Sequence, residues 1–407
     1  MPEHIPFVNS GNDLKRLREY YDKPGVAHVQ LSNAASLRKR QIHHLCDLWI
    51  DPEIDGYDRL LKGSDARADW KNQISQFKEN EILANEAYLK KPATNKVKVF
   101  IFDVLDKCHQ FEPAWITVPQ LPIVGDSTKV DNTRNRINTE LAKASAQWRM
   151  ESGFEGSFVL PLVFTHQSQL RGKTQWGPKL RLAKKCLNVV RPDIIWAVNC
   201  DLPDWKGSDK LKERFASLVS FHTDLRNAFP NAKIIAGPYW AMNLVLWSRG
   251  LCDYPAISLG HGFSYRVSGG YIPPEPPTAM VALGPLRRQA RHTEQLRDWI
   301  NNAVKKLQGS DEAAKQFSRL QNRFNELARY EVARNQVAEF YGDWLKKLSM
   351  IPPSGRSLAL FQDMTSAYVL GKQLHNELDC RSGALPKSEA PAREPGKIAE
   401  LFMPYCL

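Results

Sequence analysis

Short apolar runs alternate with segments of helical spacing along the first 290 residues of the chain. We predict that eight of the apolar runs are strands, at 27–31, 48–50, 115–118, 158–164, 194–198, 234–237, 256–260 and 280–283. The segment 97–110 is predicted as one of the helices between them, because a helix ends naturally before an X-Pro pair. Apolar strands that alternate with helices are typical of a parallel sheet covered by helices. The pattern therefore predicts an α/β fold of the (β/α)8 TIM-barrel type.

The character of the sequence changes near residue 290, and we predict two domains on that basis. The barrel is expected at 1–290, with a helical insertion at 57–95 that is longer than an ordinary barrel connection. A helical C-terminal region is expected at 291–407, with a flexible stretch at 382–396 that is rich in Pro, Ala, Lys and Glu.

Polar side chains follow most of the predicted strands at the point where each strand ends. In a (β/α)8 barrel these ends form the mouth, which is where the active site lies. The candidate catalytic residues are the two carboxylates and one imidazole that follow strands: Asp51, Asp201 and His261. The candidate substrate-binding residues are amides, aromatic rings, hydroxyls and cations from the same strand ends and loops: Gln120, His166, Gln167, Asn199, Tyr239, Trp240, Arg171, Lys173, Ser264 and Arg266.

The acids at 51–55 carry one chemical argument. Asp51, Glu53 and Asp55 directly follow a buried strand, where carboxylates are costly unless they are exposed or used. Such a carboxylate can act as a general base or a nucleophile. The alternative is a loop carboxylate that caps the next helix. Asp201 poses the same choice, since it follows a fully apolar strand.

The remaining candidates point to an anionic, planar ligand. His261 lies between two glycines that allow a ligand to approach the backbone, although the glycines are equally consistent with a tight turn. The loop around His166 combines imidazole, amides and cations that suit phosphate contacts, unless it is only a solvated basic loop. Tyr239 and Trp240 suit stacking on a nucleobase, and ordinary packing is the alternative.

The charge and the motifs of the chain indicate which partners, cofactors and cellular location to expect. Lys and Arg number 56 against 44 Asp and Glu, a net charge of +12 that favours nucleic acid as partner, with a generally basic surface as the alternative. We expect no cofactor and no metal site, because the chain has no Walker A loop, dinucleotide fingerprint, Cys-X-X-Cys pair or strand-end His pair. No run of about eighteen apolar residues is present, so we expect no membrane span. Widely spaced cysteines, seven in number, and a polar N-terminus without a signal-peptide core predict a cytoplasmic protein.

One region resembles a known family. Ala232-Lys233-Ile234-Ile235-Ala236-Gly237, a helix ending Ser248-Arg249-Gly250, a further strand, and then Ser264-Tyr265-Arg266 and Gly269-Gly270 follow one another in order. This order is similar to the late barrel region of the tRNA-guanine transglycosylases and their DNA-modifying deazaguanine relatives. Asp51 with Gly56 nearby resembles the aspartate that contacts the exchanged base in that family.

The chain also departs from that family. The Gly-Gly-Phe-Gln sequence after the aspartate is absent, and so is the zinc motif of three cysteines and a histidine. The family's nucleophilic aspartate has no clear counterpart, and Asp201 or Asp253 would have to replace it.

The resemblance implies a transglycosylase-like enzyme that exchanges or removes a purine-type base of nucleic acid through a carboxylate nucleophile. Arg171, Lys173, Arg266, Arg287 and Arg288 would then hold phosphates. Two alternatives stay open: a non-catalytic nucleic-acid-binding barrel, and a barrel hydrolase or lyase that acts on a small phosphorylated substrate.

Overall fold

Eight parallel strands close into a barrel in which neighbours in sequence are neighbours in the sheet. The structure is a computed structural model that describes residues 4–56, 72, 74–83, 94–122, 128–164, 170, 172–200, 209–260, 265, 279–307, 311–375 and 395–407. The barrel strands are β1 Ile5–Phe7, β2 Val26–Gln30, β3 Asp47–Asp51, β4 Trp115–Thr117, β5 Ser157–Phe164, β6 Ile194–Asn199, β7 Lys233–Ala236 and β8 Tyr254–Ser258. The predicted (β/α)8 barrel is therefore confirmed.

Helices follow the strands and continue beyond the barrel. Those between the strands are α1 Gly11–Tyr20, α2 Leu31–Lys39, α3 Thr94–His109, α4 Thr128–Ser152, α5 Lys173–Val190, α6 Asp209–Ala228 and α7 Met242–Ser248. Those after the barrel are α8 Glu294–Lys306, α9 Glu312–Asn322, α10 Tyr330–Ser349, α11 Pro353–His375 and α12 Lys397–Phe402. The helix predicted at 97–110 is confirmed as α3.

The prediction of eight strands has the right number and the wrong membership. The first barrel strand is β1, which the apolar pattern did not reveal because the strand has only three residues. The strand predicted at 280–283 is β9 (Met280–Leu283), which lies outside the barrel and pairs antiparallel with β10 (Arg288–Arg291). The barrel instead closes where β8 pairs with β1, with Ala256 opposite Ile5.

The helices α10 and α11 share a continuous apolar core with the barrel. Tyr341 on α10 donates a hydrogen bond to Asn243 Oδ1 on α7 at 2.7 Å, and both side chains are buried. A second, smaller core lies between the β9–β10 hairpin and α8 and α9. Most of the predicted insertion at 57–95 and of the predicted flexible stretch at 382–396 lies outside the described residues.

Aromatic side chains fill the inside of the barrel. Trp49 and Trp196 meet edge to face, with ring centroids 5.3 Å apart, and Phe7 lies against both rings. The Trp49 indole N–H donates to Thr117 Oγ1 at 2.8 Å. Because side chains alternate along a strand, Asp51 faces the same side as Trp49 and lies closer to the mouth. The aromatic layer therefore lies directly below the polar residues of the mouth.

Candidate active site at the mouth of the barrel

Three buried acids lie together at the C-terminal end of β3. The strand ends at Asp51, and the chain then turns through the short 3-10 helix Ile54–Gly56. Asp51 is 2% exposed, Glu53 0% and Asp55 6%. Three carboxyl groups are seldom buried so close to one another, because each charged form loses its hydration and repels the others.

Asp51 is held by two hydrogen bonds. His28 Nε2 on β2 lies 3.0 Å from Asp51 Oδ2, and the backbone N–H of Glu53 donates to Asp51 Oδ1 at 3.0 Å. The His28 ring is itself stacked on Phe7, with centroids 3.9 Å apart. These contacts fix the orientation of the Asp51 carboxyl group at the end of its strand.

The other two acids are bound from different elements. The Ser32 hydroxyl on α2 donates to Glu53 Oε2 at 2.8 Å. Glu53 has a backbone φ of 57°, a conformation that side chains other than glycine seldom adopt. The Tyr265 hydroxyl donates to Asp55 Oδ2 at 3.0 Å, which brings the chain after β8 into the site.

The surroundings of Asp55 shift the pKa of its carboxyl group. Burial raises the pKa of Asp55 well above its ordinary value, and the neighbouring Asp51 and Glu53 raise it further. Burial and the same three acids also raise the pKa of Tyr265, whose hydroxyl therefore stays neutral. A carboxyl group with a raised pKa beside further carboxyl groups is an arrangement with which enzymes carry out acid–base chemistry.

A small cavity adjoins Asp51 and Asp55. Its wall is completed by Thr117, Gln120 and Trp196, among other residues. The volume of this cavity is about 10 Å³, which is about the space that one water molecule needs. One water-sized group can therefore lie against the two carboxyl groups.

The predicted residues Gln120 and Asn199 lie near the mouth, where both form hydrogen bonds within the protein. Gln120 is buried, and its amide donates to the carbonyl oxygens of Pro119 and Asn138 at 2.9 and 3.1 Å. The backbone N–H of Asn199 donates to the Tyr239 hydroxyl at 2.7 Å. Gln120 lines the cavity and its amide is bonded within the scaffold, whereas Asn199 is buried and contributes its backbone to the bond with Tyr239.

The predicted stacking of a base on Tyr239 and Trp240 is not consistent with their positions. Both are almost completely buried, at 2% and 1% exposure. The Trp240 ring packs against Tyr341 and Trp344 of α10, and its N–H donates to the Arg287 carbonyl at 2.9 Å. Tertiary packing of the C-terminal helices covers rings that sequence alone placed at the mouth.

The cations of the prediction have different environments. Lys173 begins α5 with an exposed side chain, 4.0 Å from Asp224. Arg287 instead pairs with Asp363 and lies over the Trp344 ring. These contacts within the protein do not match the predicted role of Arg287 in phosphate binding. Arg288 is buried in β10, and burial lowers the pKa of its guanidinium to about 10.

Asp253 cannot supply the missing nucleophile. It precedes β8 at the N-terminal end of the barrel, opposite the mouth, where it binds Arg226 at 2.6 Å and the backbone N–H of Ile234 at 2.7 Å. The remaining predicted residues lie outside the described part of the chain: Asp201, His261, His166, Gln167, Arg171, Ser264 and Arg266.

Sequence reasoning missed three residues that hold the acids, namely His28, Ser32 and Tyr265. His28 left one usable signal, since it is the polar residue inside the otherwise apolar run 27–29. Ser32 left the signal of a polar residue directly after the predicted strand 27–31. Tyr265 left none, because its role depends on Asp55 of another element.

A scan against protein-family models finds no match for this chain, and a search of curated proteins finds no matching sequence. Among the described residues, no group of three or more His, Cys, Asp or Glu side chains is arranged to hold a metal ion. No helix of that described part is both long enough and apolar enough to cross a membrane.

Proposed function

We propose that this protein is a barrel enzyme that removes or exchanges a purine-type base of nucleic acid, with Asp51 as the carboxylate nucleophile and Asp55 as the general acid. The observation that supports the proposal is the burial of three carboxyl groups beside His28 and Tyr265 at the C-terminal mouth. A buried acid with a raised pKa in a cleft is a candidate for a functional site, and the C-terminal mouth is where the active sites of (β/α)8 barrels lie.

Cleavage of a glycosidic bond suits two carboxyl groups with different protonation states. In the proposed step, the Asp55 carboxyl gives its proton to the departing base nitrogen while the C1′–N bond breaks. An Asp51 oxygen forms the new bond to C1′ and is later displaced by water or by an incoming base, whose proton passes to the Asp55 carboxylate. His28 and the Glu53 amide hold Asp51 in position for this attack.

The net charge of +12 supports a polyanionic substrate. Binding to DNA or tRNA is accordingly expected to weaken as salt concentration rises, since each neutralised phosphate releases counterions. Lys173 at the start of α5 is one described cation with an exposed side chain, at 4.0 Å from Asp224.

The test is an assay of base release and base exchange on duplex DNA, single-stranded DNA and tRNA, with the nucleosides analysed by mass spectrometry. Asp51→Asn and Asp55→Asn are each expected to lower the rate by about a hundredfold or more, the usual contribution of a general acid or base. The matched control is Asp193→Asn, because this exposed carboxylate lies before β6 at the opposite end of the barrel. Its rate should equal that of the unaltered protein.

Full activity in both Asp51→Asn and Asp55→Asn would exclude the proposed chemistry. Salt-sensitive binding to nucleic acid without any base release, unchanged in both variants, would instead indicate a non-catalytic nucleic-acid-binding barrel. The absence of any nucleic-acid affinity would favour a small phosphorylated substrate.

A further inference from the structure

A second cavity lies at the other end of the barrel, between its N-terminal face and the helices α10 and α11. Its volume is about 340 Å³, within the usual range for small-molecule sites. His4 precedes β1 and Lys23 precedes β2, which places the cavity at the face opposite Asp51. Trp247 of α7 and Arg356 of α11 complete the enclosure.

Two side chains that line this cavity carry buried polar atoms with no partner among the described residues. They are His4 Nε2 and the Tyr21 hydroxyl. His4 is 4% exposed and Tyr21 is 9% exposed. Buried polar groups are nearly always hydrogen-bonded, and these two atoms adjoin the cavity with almost no accessible surface of their own. A rotation of either side chain would offer its unsatisfied polar atom to a ligand in the cavity.

The charged residues of the cavity favour an anion. Lys23, Lys346 and Arg356 line it together with one acid, Asp22, which gives a surplus of two positive charges. The Arg356 guanidinium lies 4.1 Å from the Trp247 ring centroid, and its Nε donates to the Ile351 carbonyl at 2.9 Å. These two contacts fix the plane of a group whose geometry suits phosphate oxygens.

The neutral groups fit the same ligand. Burial lowers the pKa of His4 to about 4, so the ring is uncharged at neutral pH and adds a single N–H or lone pair.

Lys346 is about half exposed and lies 3.3 Å from Asp22, close enough for a bound anion to draw it inward. The surplus of two charges matches a phosphate monoester, which carries nearly two negative charges at this pH.

We propose that this cavity binds a small phosphate monoester, with Arg356 and Lys346 on the phosphate and with Tyr21 and His4 on its oxygen atoms. Small rotations of Tyr21 and His4 bring their buried polar atoms to the ligand. Such a ligand connects α1, α10 and α11 with the first strand of the barrel. Its binding therefore stabilises the contact between the barrel and the C-terminal helices, and it requires nothing of the acids at the mouth.

The experiment measures binding of glycerol 3-phosphate, adenosine monophosphate, inorganic phosphate and succinate to the full chain by calorimetry and by thermal shift. At least one monoester is expected to bind more tightly than inorganic phosphate and than succinate, and to raise the melting temperature. Asp51→Asn is expected to bind the monoester as the unaltered protein does.

Tyr21→Phe and Lys346→Gln test the assignment of residues. Tyr21→Phe removes a buried hydroxyl that has no partner among the described residues, so the melting temperature of the free protein should stay the same or rise, while monoester affinity falls about tenfold. The control is Tyr341→Phe, which breaks the bond to Asn243, lowers the melting temperature and leaves affinity unchanged. The proposal would be overturned if neither monoester bound, or if succinate alone bound. It would also be overturned if Tyr21→Phe and Lys346→Gln both bound the monoester as tightly as the unaltered protein does.

Discussion

His28 Nε2 lies 3.0 Å from Asp51 Oδ2, in a contact that joins β2 to β3 at the mouth of the barrel. The register of the two strands sets this contact, since His28 is opposite Trp49 and Asp51 is two residues further along. His28 Nδ1 is buried without a partner in the described part of the chain, so we place the ring proton on Nε2, from which it is donated to Asp51. His28 is thus a positioning residue for the Asp51 carboxyl group.

Substitution of His28 tests this role. His28→Phe is expected to lower kcat by about tenfold to a hundredfold with little change in KM, because it removes orientation and not substrate contact. His28→Gln, which keeps an N–H donor, should recover part of the loss, and the exposed His43→Gln serves as control. Equal kcat values for the Phe and Gln variants would indicate that the hydrogen bond to Asp51 has no role.

Asp55→Asn is expected to raise the stability of the protein while it lowers the rate by about a hundredfold or more. Because the pKa of Asp55 is raised in the folded state, its contribution to stability is complete below about pH 4 and is lost as pH rises toward the folded value. Asparagine does not ionise, so the stability advantage of the variant should grow with pH over that window. Urea unfolding at several pH values measures it.

Asp253→Asn provides the contrast to Asp55→Asn, since Asp253 binds Arg226 at 2.6 Å and Lys233 at 3.7 Å. This variant should be less stable than the unaltered protein and should keep its activity. A loss of stability in Asp55→Asn as large as that in Asp253→Asn would show that the mouth acids are structural.

Acid is expected to destabilise the fold through two buried histidines. Burial lowers the pKa of His4 to about 4 and that of His222 to about 3, against about 6.5 for an exposed histidine. Both rings bind protons more readily in the unfolded chain, so stability is complete above about pH 6.5 and is lost as pH falls toward 4. The loss through His4 alone is on the order of 3 kcal/mol.

Unfolding of His4→Phe between about pH 4 and pH 7 tests this expectation, since the variant should have a flatter pH dependence than the unaltered protein. The exposed His43→Phe should leave the dependence as it is. An identical profile in His4→Phe would contradict the assignment of His4 as a neutral buried ring.

The buried guanidinium of Arg16 connects the mouth to the C-terminal region. It pairs with Asp13 at 2.9 Å and with Glu331 of α10, and donates to the Leu259 carbonyl just after β8 at 3.2 Å. Arg16→Met should cost roughly 3 kcal/mol, because it leaves a buried carboxylate with less compensation. Arg38→Met removes an exposed pair with Glu112 and should cost under about 1 kcal/mol. Denaturant unfolding of both variants compares the two losses.

The sequence by itself determined the fold class, the helix α3 and the position of Asp51 at the end of a strand. These follow from local signals: the alternation of apolar runs with helical segments, and the first polar residue after a buried strand. Ring closure is non-local, so only the tertiary structure decided that Ile5–Phe7, and not 280–283, completes the barrel. It likewise decided that the C-terminal helices bury Trp240. The site has the same origin, since Tyr265 reaches Asp55 across 210 residues of sequence, and a contact of that separation leaves no periodic signal in the chain.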